Sequence, residues 1–323
     1  MAIERARVQA VPKPWGIADL RPWSRADHDG GRLIGEIWYE RPGSASPDPS
    51  LLLKLLFTSQ PLSIQVHPDD AFAQAIGLQC GKTEAWYILS AAPGARIALG
   101  LKEQLAPGKL REAVDDGSIA GLVAWRPVLP GDVVFVPAGT IHAIGAGLVI
   151  AEIQQRSDAT FRMFDFGRKR HLHIAGAVAV ADAGPADGSV KPKRLTDERT
   201  LLASNPYFVL ERIELAPGSG TRLEADRETW LLVVSGSARA GRFNIAAGDA
   251  VFAQSDSVDM RAGAEGMASL VAYTGVGGPV PRLLQGPAQP IVADTAPLEG
   301  RQVPTSDLRK RADPEHGLAG ATP

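Results

Sequence analysis

Apolar residues in this chain come in short runs, and nearly every run is closed by Gly, Pro or Asp. Such runs occupy 33–37, 51–57, 62–66, 84–89, 96–99, 133–136, 148–154 and 160–165. They are the length of strands, and the spacing of their turn residues points to an all-β sandwich or barrel. Three inserted segments read as helices instead: 69–79 just after Pro68, 109–119 with Leu110, Ala113 and Val114 on one face, and 172–181. The chain therefore reads as all-β with inserted helices.

A shift to Ala, Gly, Pro, Asp and Lys begins at Asp182 and reads as a linker over 182–198. A second strand-rich block follows, with runs at 207–215, 229–234, 242–245, 250–253 and 268–273. Each half has a Gly-Asp turn before an apolar strand, Pro130-Gly131-Asp132-Val133 and Ala247-Gly248-Asp249-Ala250. The echo implies two related barrels, the first over 1–181 and the second over 199–280, with a tail over 281–323 in which 301–308 is expected to pack. The histidines are His28, His67, His142, His171, His173 and His316, so the second β block has none and reads as a structural partner.

At 323 residues, 45% hydrophobic and 22% charged, the chain can bury two cores. A net charge of −2 without a basic run argues against nucleic-acid binding. No segment approaches the length of a membrane span, and the N-terminus lacks the apolar core of a signal peptide. A cytoplasmic protein, monomer or homodimer, is the expectation. The single cysteine, Cys80, excludes disulfides and thiolate clusters within one chain. Any metal must then be held by nitrogen and oxygen.

Such donors occur at strand spacing. Residues i and i+2 of a strand face the same way, which pairs Gln65 with His67 and Lys82 with Glu84. His142 enters a strand after the Pro137-Ala138-Gly139 turn. Gln65, His67, Glu84 and His142 form a set suited to Zn2+, and Mn2+, Fe2+ or Co2+ accept the same donors. His67 and His142 as separate core histidines are the plainer alternative. Glu152 and Gln154 share a further strand face, as do Asp158, Thr160 and Arg162 after a bend. An inward arginine needs an anion, either a neighbouring carboxylate or a bound phosphate or oxyanion. Lys54, inside an apolar strand, either reaches solvent or meets an anion beside Ser63. His171 and His173 open the third helix and read as caps or packing residues, and His28 and His316 carry no functional argument.

Four stretches together resemble the type I phosphomannose isomerases, in their short bacterial form. They are Leu62-Ser63-Ile64-Gln65-Val66-His67-Pro68-Asp69-Asp70, Gly81-Lys82-Thr83-Glu84-Ala85-Trp86-Tyr87, Pro137-Ala138-Gly139-Thr140-Ile141-His142-Ala143, and the run from Glu152 to Arg162. The resemblance covers roughly residues 10 to 180 and implies two cupin-like (jelly-roll) β-barrels, the second degenerate. It implies one zinc ion per chain on Gln65, His67, Glu84 and His142. It further implies catalytic roles for Arg162 and Lys82, with Lys54 and Ser63 lining the substrate pocket near the phosphate. The family usually has Cys where Ala85 stands and Tyr where Phe161 stands, and the segments around Trp15-Gly16-Ile17 and Tyr39-Glu40-Arg41 depart further.

The implied reaction interconverts mannose 6-phosphate and fructose 6-phosphate through a cis-enediol. Lys82 or a metal-bound water would shuttle protons, and Arg162 would stabilise the enediolate or anchor the phosphate. Glu152 and Asp158 would contact substrate or orient Arg162 or a metal ligand. The partner is thus a small sugar phosphate. A sugar-phosphate-binding cupin without catalysis and a metal-dependent cupin oxygenase are the competing readings.

Overall fold

The computed structural model describes residues 3–24, 32–43, 48–275 and 278–286. His28, His316 and most of the expected tail, including 301–308, lie outside the described residues. The first half carries β1 (Glu4–Arg5), β2 (Arg7–Ile17), β3 (Ile34–Glu40), β4 (Leu51–Thr58), β5 (Ile64–Val66), α1 (Asp70–Ala75), β6 (Glu84–Ala91), β7 (Arg96–Leu101), α2 (Pro107–Asp115), α3 (Ile119–Leu122), β8 (Val123–Pro127), β9 (Val133–Val136), β10 (His142–Ile144), β11 (Leu148–Gln155), β12 (Phe161–Phe164) and α4 (Ile174–Val180). The second carries β13 (Lys193–Arg194), β14 (Arg199–Ser204), β15 (Phe208–Leu215), β16 (Gly220–Ala225), β17 (Thr229–Ala240), β18 (Phe243–Ala246), β19 (Ala250–Ala253), β20 (Asp256–Thr274) and β21 (Leu284–Gln285).

Strand alternation builds a layered molecule. In the first half a six-stranded sheet, β2-β3-β4-β11-β6-β9, faces a five-stranded sheet, β12-β5-β10-β7-β8. Leu56, Trp86, Ile88 and Ile150 from one meet Leu62, Ile97, Leu99 and Ile144 from the other in a shared core. The outer face of the five-stranded sheet is covered by the helices, through Val66, Ala98, Leu110, Val114, Met163 and Ala177. The outer face of the six-stranded sheet turns Leu51, Leu53, Leu55 and Phe57 onto Phe208, Trp230, Leu232 and Leu270 of the second half. Strand β4 is therefore buried on both faces along its whole length, which is why its sequence is an apolar run apart from Lys54 and the terminal Thr58. Each such side chain contributes about 2 kcal/mol of burial.

The nine strands of the second half and β1 form one ten-stranded system around a second apolar core. The two halves are interlocked: β1 pairs with β19, and the Tyr39 hydroxyl donates to the Gly248 carbonyl at 2.7 Å. The described residues fall in one compact unit. The echoed turns are alike in detail. Gly131 and Gly248 have φ of 94° and 86°, a region open to glycine at little cost. Asp132 and Asp249 each accept, on Oδ2, the amide three residues back, from Leu129 at 2.8 Å and Ala246 at 2.9 Å. These are two cupin-like barrels.

Several expected bounds move. The helix expected over 69–79 is the short α1, capped by Asp69, whose side chain accepts the Phe72 amide, and Gly77 at φ 84° follows it. The helix expected over 109–119 is split into α2 and α3 around Gly117 at φ 79°. The segment from Asp182 runs along the first half, where the Asp182 amide donates to Gly139 and the Leu101 and Phe135 amides donate to Gly184 and Gly188. Strands β1, β2, β8, β13, β14, β16 and β21 match none of the expected runs. Strand β2 holds Pro12 and Pro14, and as a sheet edge it tolerates the missing donors.

Candidate functional site

The two facing sheets of the first barrel enclose a cleft of about 270 Å³. Its floor is set by register. Gln65 on β5 lies directly between His142 on β10 and Arg162 on β12. Across the cleft, Glu152 on β11 lies between Lys54 on β4 and Trp86 on β6, and Gln154 lies beside Glu84. His67 follows the last residue of β5, and Lys82 sits before the first residue of β6, so Lys82 reaches the cleft from a connecting segment rather than through strand alternation with Glu84.

His67, Glu84 and His142 converge so that their ligand atoms lie within 4.8 Å of one another. The His67 Nδ1–H donates to the Ala159 carbonyl at 2.7 Å, and the His142 Nδ1–H donates to the Thr140 carbonyl at 2.9 Å. Those bonds fix the tautomer and leave both Nε2 lone pairs facing inward. Glu84 Oε2 lies 3.5 Å from His67 Nε2 and is ion-paired with Lys82 Nζ at 3.0 Å. Its other oxygen accepts the Trp86 indole N–H at 3.0 Å. The Gln65 amide lies 3.2 Å from His142 Nε2 and accepts from the Ser63 hydroxyl at 3.0 Å. A half-turn of that amide exchanges its oxygen and nitrogen.

Burial holds the His67 imidazole well below its ordinary pKa, with Lys82 adding to the effect. Burial likewise brings His142 down to about 4. Both rings are neutral at pH 7 and so ready to ligate. The fit to a divalent cation rests on this donor set: two imidazole nitrogens, a buried carboxylate and an amide, converging at one place.

Next to the cluster stand two buried lysines and a third carboxylate. Glu152 is raised to about 7, first by burial and then by the Glu84 charge. Its Oε1 makes no hydrogen bond and lies 3.8 Å from Lys54 Nζ and 3.9 Å from Lys82 Nζ. Burial opposes the charge on Lys82, but Glu84 and Glu152 outweigh it and hold its pKa above the ordinary value. Lys82 Nζ also lies 3.2 Å from His67 Nε2. For Lys54 burial wins and its pKa falls. Its ammonium donates to Gln154 Oε1 at 2.7 Å and sits over the Trp38 ring at 4.7 Å.

All ten residues singled out from the sequence come to this region: Lys54, Ser63, Gln65, Lys82, Glu84, Glu152, Asp158 and Arg162 line the cleft, and His67 and His142 join Glu84 in its wall. The expected orienting contacts to Arg162 differ. Its Nη1 donates to the His171 carbonyl at 2.7 Å and its backbone amide to His173 Nδ1 at 3.2 Å, while Glu152 pairs with the lysines instead. His171 and His173 thus hold the arginine rather than only opening α4. Sequence reasoning also missed Lys13, which pairs with Glu36 at 3.0 Å, and Arg170, which bonds Asp165 at 2.7 Å and stacks on Trp15 at 4.8 Å. The alternation of Glu36 and Trp38 along β3 could have flagged the first. Nothing local marks the second.

Fold and site define a jelly-roll protein with a metal-ready His-Glu-His cluster inside a cleft rich in buried lysine. No protein-family model matches the chain. The mannose-6-phosphate isomerase of Streptococcus mutans is 39% identical over 203 residues, which are 60% of this chain and 63% of that protein. The probable mannose-6-phosphate isomerase GmuF of Bacillus subtilis is 32% identical over 228 residues, 65% of this chain and 70% of its own. The chain belongs to the mannose-6-phosphate isomerase family. Among solved structures, the mannose 6-phosphate isomerase of Bacillus subtilis matches with a TM-score of 0.74 at 24% identity, over 84% of this chain and 99% of that one. A mannose 6-phosphate isomerase bound with zinc and yttrium matches at 0.67 and 15%, over 85% and 100%. Among the described residues no helix is long and apolar enough to cross a membrane.

Proposed function

We propose that this protein is a metal-dependent aldose–ketose isomerase that interconverts mannose 6-phosphate and fructose 6-phosphate through a cis-enediol. The observation that carries the reading is the presence, inside one cleft, of a metal-ready cluster beside a third buried carboxylate, Glu152, that faces the ammonium groups of Lys54 and Lys82. The reaction must move a proton between adjacent carbons and exchange protons at their oxygens. A carboxylate held between two ammonium groups beside the metal cluster is placed to take a proton from carbon and return it.

His67, Glu84 and His142, with the Gln65 amide oxygen, would hold the ion, and their nitrogen and oxygen donors suit Zn2+. When bound, the metal supplies Lewis acidity that polarises the sugar carbonyl. In this reading Glu152 takes the proton from C2 and returns it to C1 on the same face. The Lys82 ammonium donates to the developing oxyanion and recovers that proton from the neighbouring hydroxyl, so the net change is isomerisation alone. Lys54 and Ser63 bind the sugar phosphate. Arg162, half-buried and with an unpartnered Nε, stabilises the enediolate or anchors the phosphate. Asp158, which lines the cleft, binds sugar hydroxyls. A cytoplasmic setting belongs to the same reading, because a phosphorylated sugar does not cross a bilayer unaided.

A coupled assay that follows fructose 6-phosphate formation from mannose 6-phosphate tests the proposal. Steady turnover with metal present is expected. No product at high enzyme concentration would favour a sugar-phosphate binder without catalysis.

A further inference from the structure

The segment that carries Lys82 into the cleft lies outside any strand, so no ladder holds it. Three consecutive amides are instead bonded to three different acceptors. The Gly81 N–H donates to Asp70 Oδ1 at 2.8 Å, the Lys82 N–H to the Pro68 carbonyl at 3.0 Å, and the Thr83 N–H to Gln155 Oε1 at 2.9 Å. The two side-chain acceptors are tied to each other, because Gln155 Nε2 donates to the same Asp70 Oδ1 at 2.9 Å. The Gln155 backbone amide returns a bond to the Thr83 carbonyl at 3.2 Å. Gly81 is packed tightly: a Cβ there would lie 2.5 Å from the Asp69 carbonyl carbon and the Pro68 oxygen.

Asp70 stands in the first turn of α1, but the helix is capped by Asp69. Gln155 is buried at 5% exposure and, like Asp70, is not among the residues lining the cleft. A buried amide whose oxygen accepts from the loop and whose nitrogen donates to Asp70 on α1 is a costly arrangement unless that loop must not move. Lysine ends four rotatable bonds from its backbone, so the place of Nζ depends on where its Cα is pinned.

We propose that Asp70 and Gln155 are positioning residues, a splint joining α1, β11 and the 81–83 segment that sets Lys82 for proton transfer. The proposal rests on the isomerase reading for what Lys82 does. Asp70→Ala removes the acceptor of Gly81 and the partner of Gln155. Its kcat is expected to fall by about 100-fold with KM within about twofold, the size of effect that a displacement of about 1 Å produces. The metal content should stay at that of wild type, and amide hydrogen exchange at Gly81 and Thr83 should accelerate. Asp70→Asn, which keeps the acceptor oxygen, should restore slow exchange and most of the turnover.

A folded Asp70→Ala protein with accelerated exchange and wild-type kcat overturns the proposal, as does slowed turnover with both amides still protected. If Asp70→Ala does not fold, Gln155→Met is read by the same two measurements. If wild type makes no fructose 6-phosphate, the isomerase reading has failed, and exchange at Gly81 and Thr83 still decides whether the splint holds the loop.

Discussion

Replacing Glu152 by Gln should make the metal-free protein more stable at pH 8 and nearly inactive when metal is present. An unfolded glutamate ionises near 4.5, whereas Glu152 in the fold ionises near 7 because it is buried beside Glu84. Between these values the folded state binds a proton that the unfolded state has already released. Stability therefore falls as pH rises through that window. At about 1.4 kcal/mol for each pH unit, the interval amounts to about 3 kcal/mol. Glutamine mimics the protonated carboxyl and escapes the loss. Below pH 4.5 the two proteins should be alike, and above pH 7 the variant should lead by about 3 kcal/mol. The assay is urea unfolding at pH 4.5 and pH 8 after chelation, because an ion beside Glu84 would itself pull the Glu152 pKa down. Activity should fall by at least about 100-fold, as expected for a lost general base. A variant less stable than wild type at pH 8 would refute the reasoning, since the ionised carboxylate would then gain more from Lys54 and Lys82 than burial costs it.

Arg162→Ala should lower turnover by about 100-fold or more while metal content stays at that of wild type; wild-type turnover would remove the arginine from the mechanism. In the metal-free Glu152→Gln protein, stability should fall as pH drops from 6.5 towards 4, because the unfolded state then protonates His142 and the buried ring does not. A flat acid limb in urea unfolding would contradict the neutral assignment of that imidazole. In the second barrel, Arg199 makes two bonds of 2.8 Å to the fully buried Glu211, which also accepts the Tyr273 hydroxyl. Arg199→Met should cost about 3–5 kcal/mol by stranding that carboxylate, while kcat of the folded fraction stays at the wild-type value; an unchanged urea midpoint would show that Glu211 tolerates the loss.

Residues whose neighbours in the sequence are also their neighbours in space were legible. Lys54 stood out because it interrupts the apolar run of β4, and Gln65 because it stands two residues before His67 at strand spacing. The two Gly-Asp turns disclosed the duplication, and the side-chain bond of each aspartate to the amide three residues back supplies its physical cause. Long-range partners were not legible. Nothing near Arg162 in the chain says that a carbonyl nine residues on will hold it, and nothing near Lys82 says that Asp70 and Gln155 will fix its loop. The raised pKa of Glu152 was not legible either, since it comes from burial and from Glu84 on the neighbouring strand β6. Edge strands with proline were lost because their pairing on one side compensates for donors that the sequence lacks.

The most direct test combines metal and turnover on one preparation. Mannose 6-phosphate isomerisation is followed on the purified protein, again after chelation, and again after return of one equivalent of Zn2+. The cleft chemistry predicts activity that disappears with the metal and returns with it, and a His142→Ala protein that neither retains the ion nor regains activity. Full turnover in the chelated protein, with the metal shown to be gone, would contradict it.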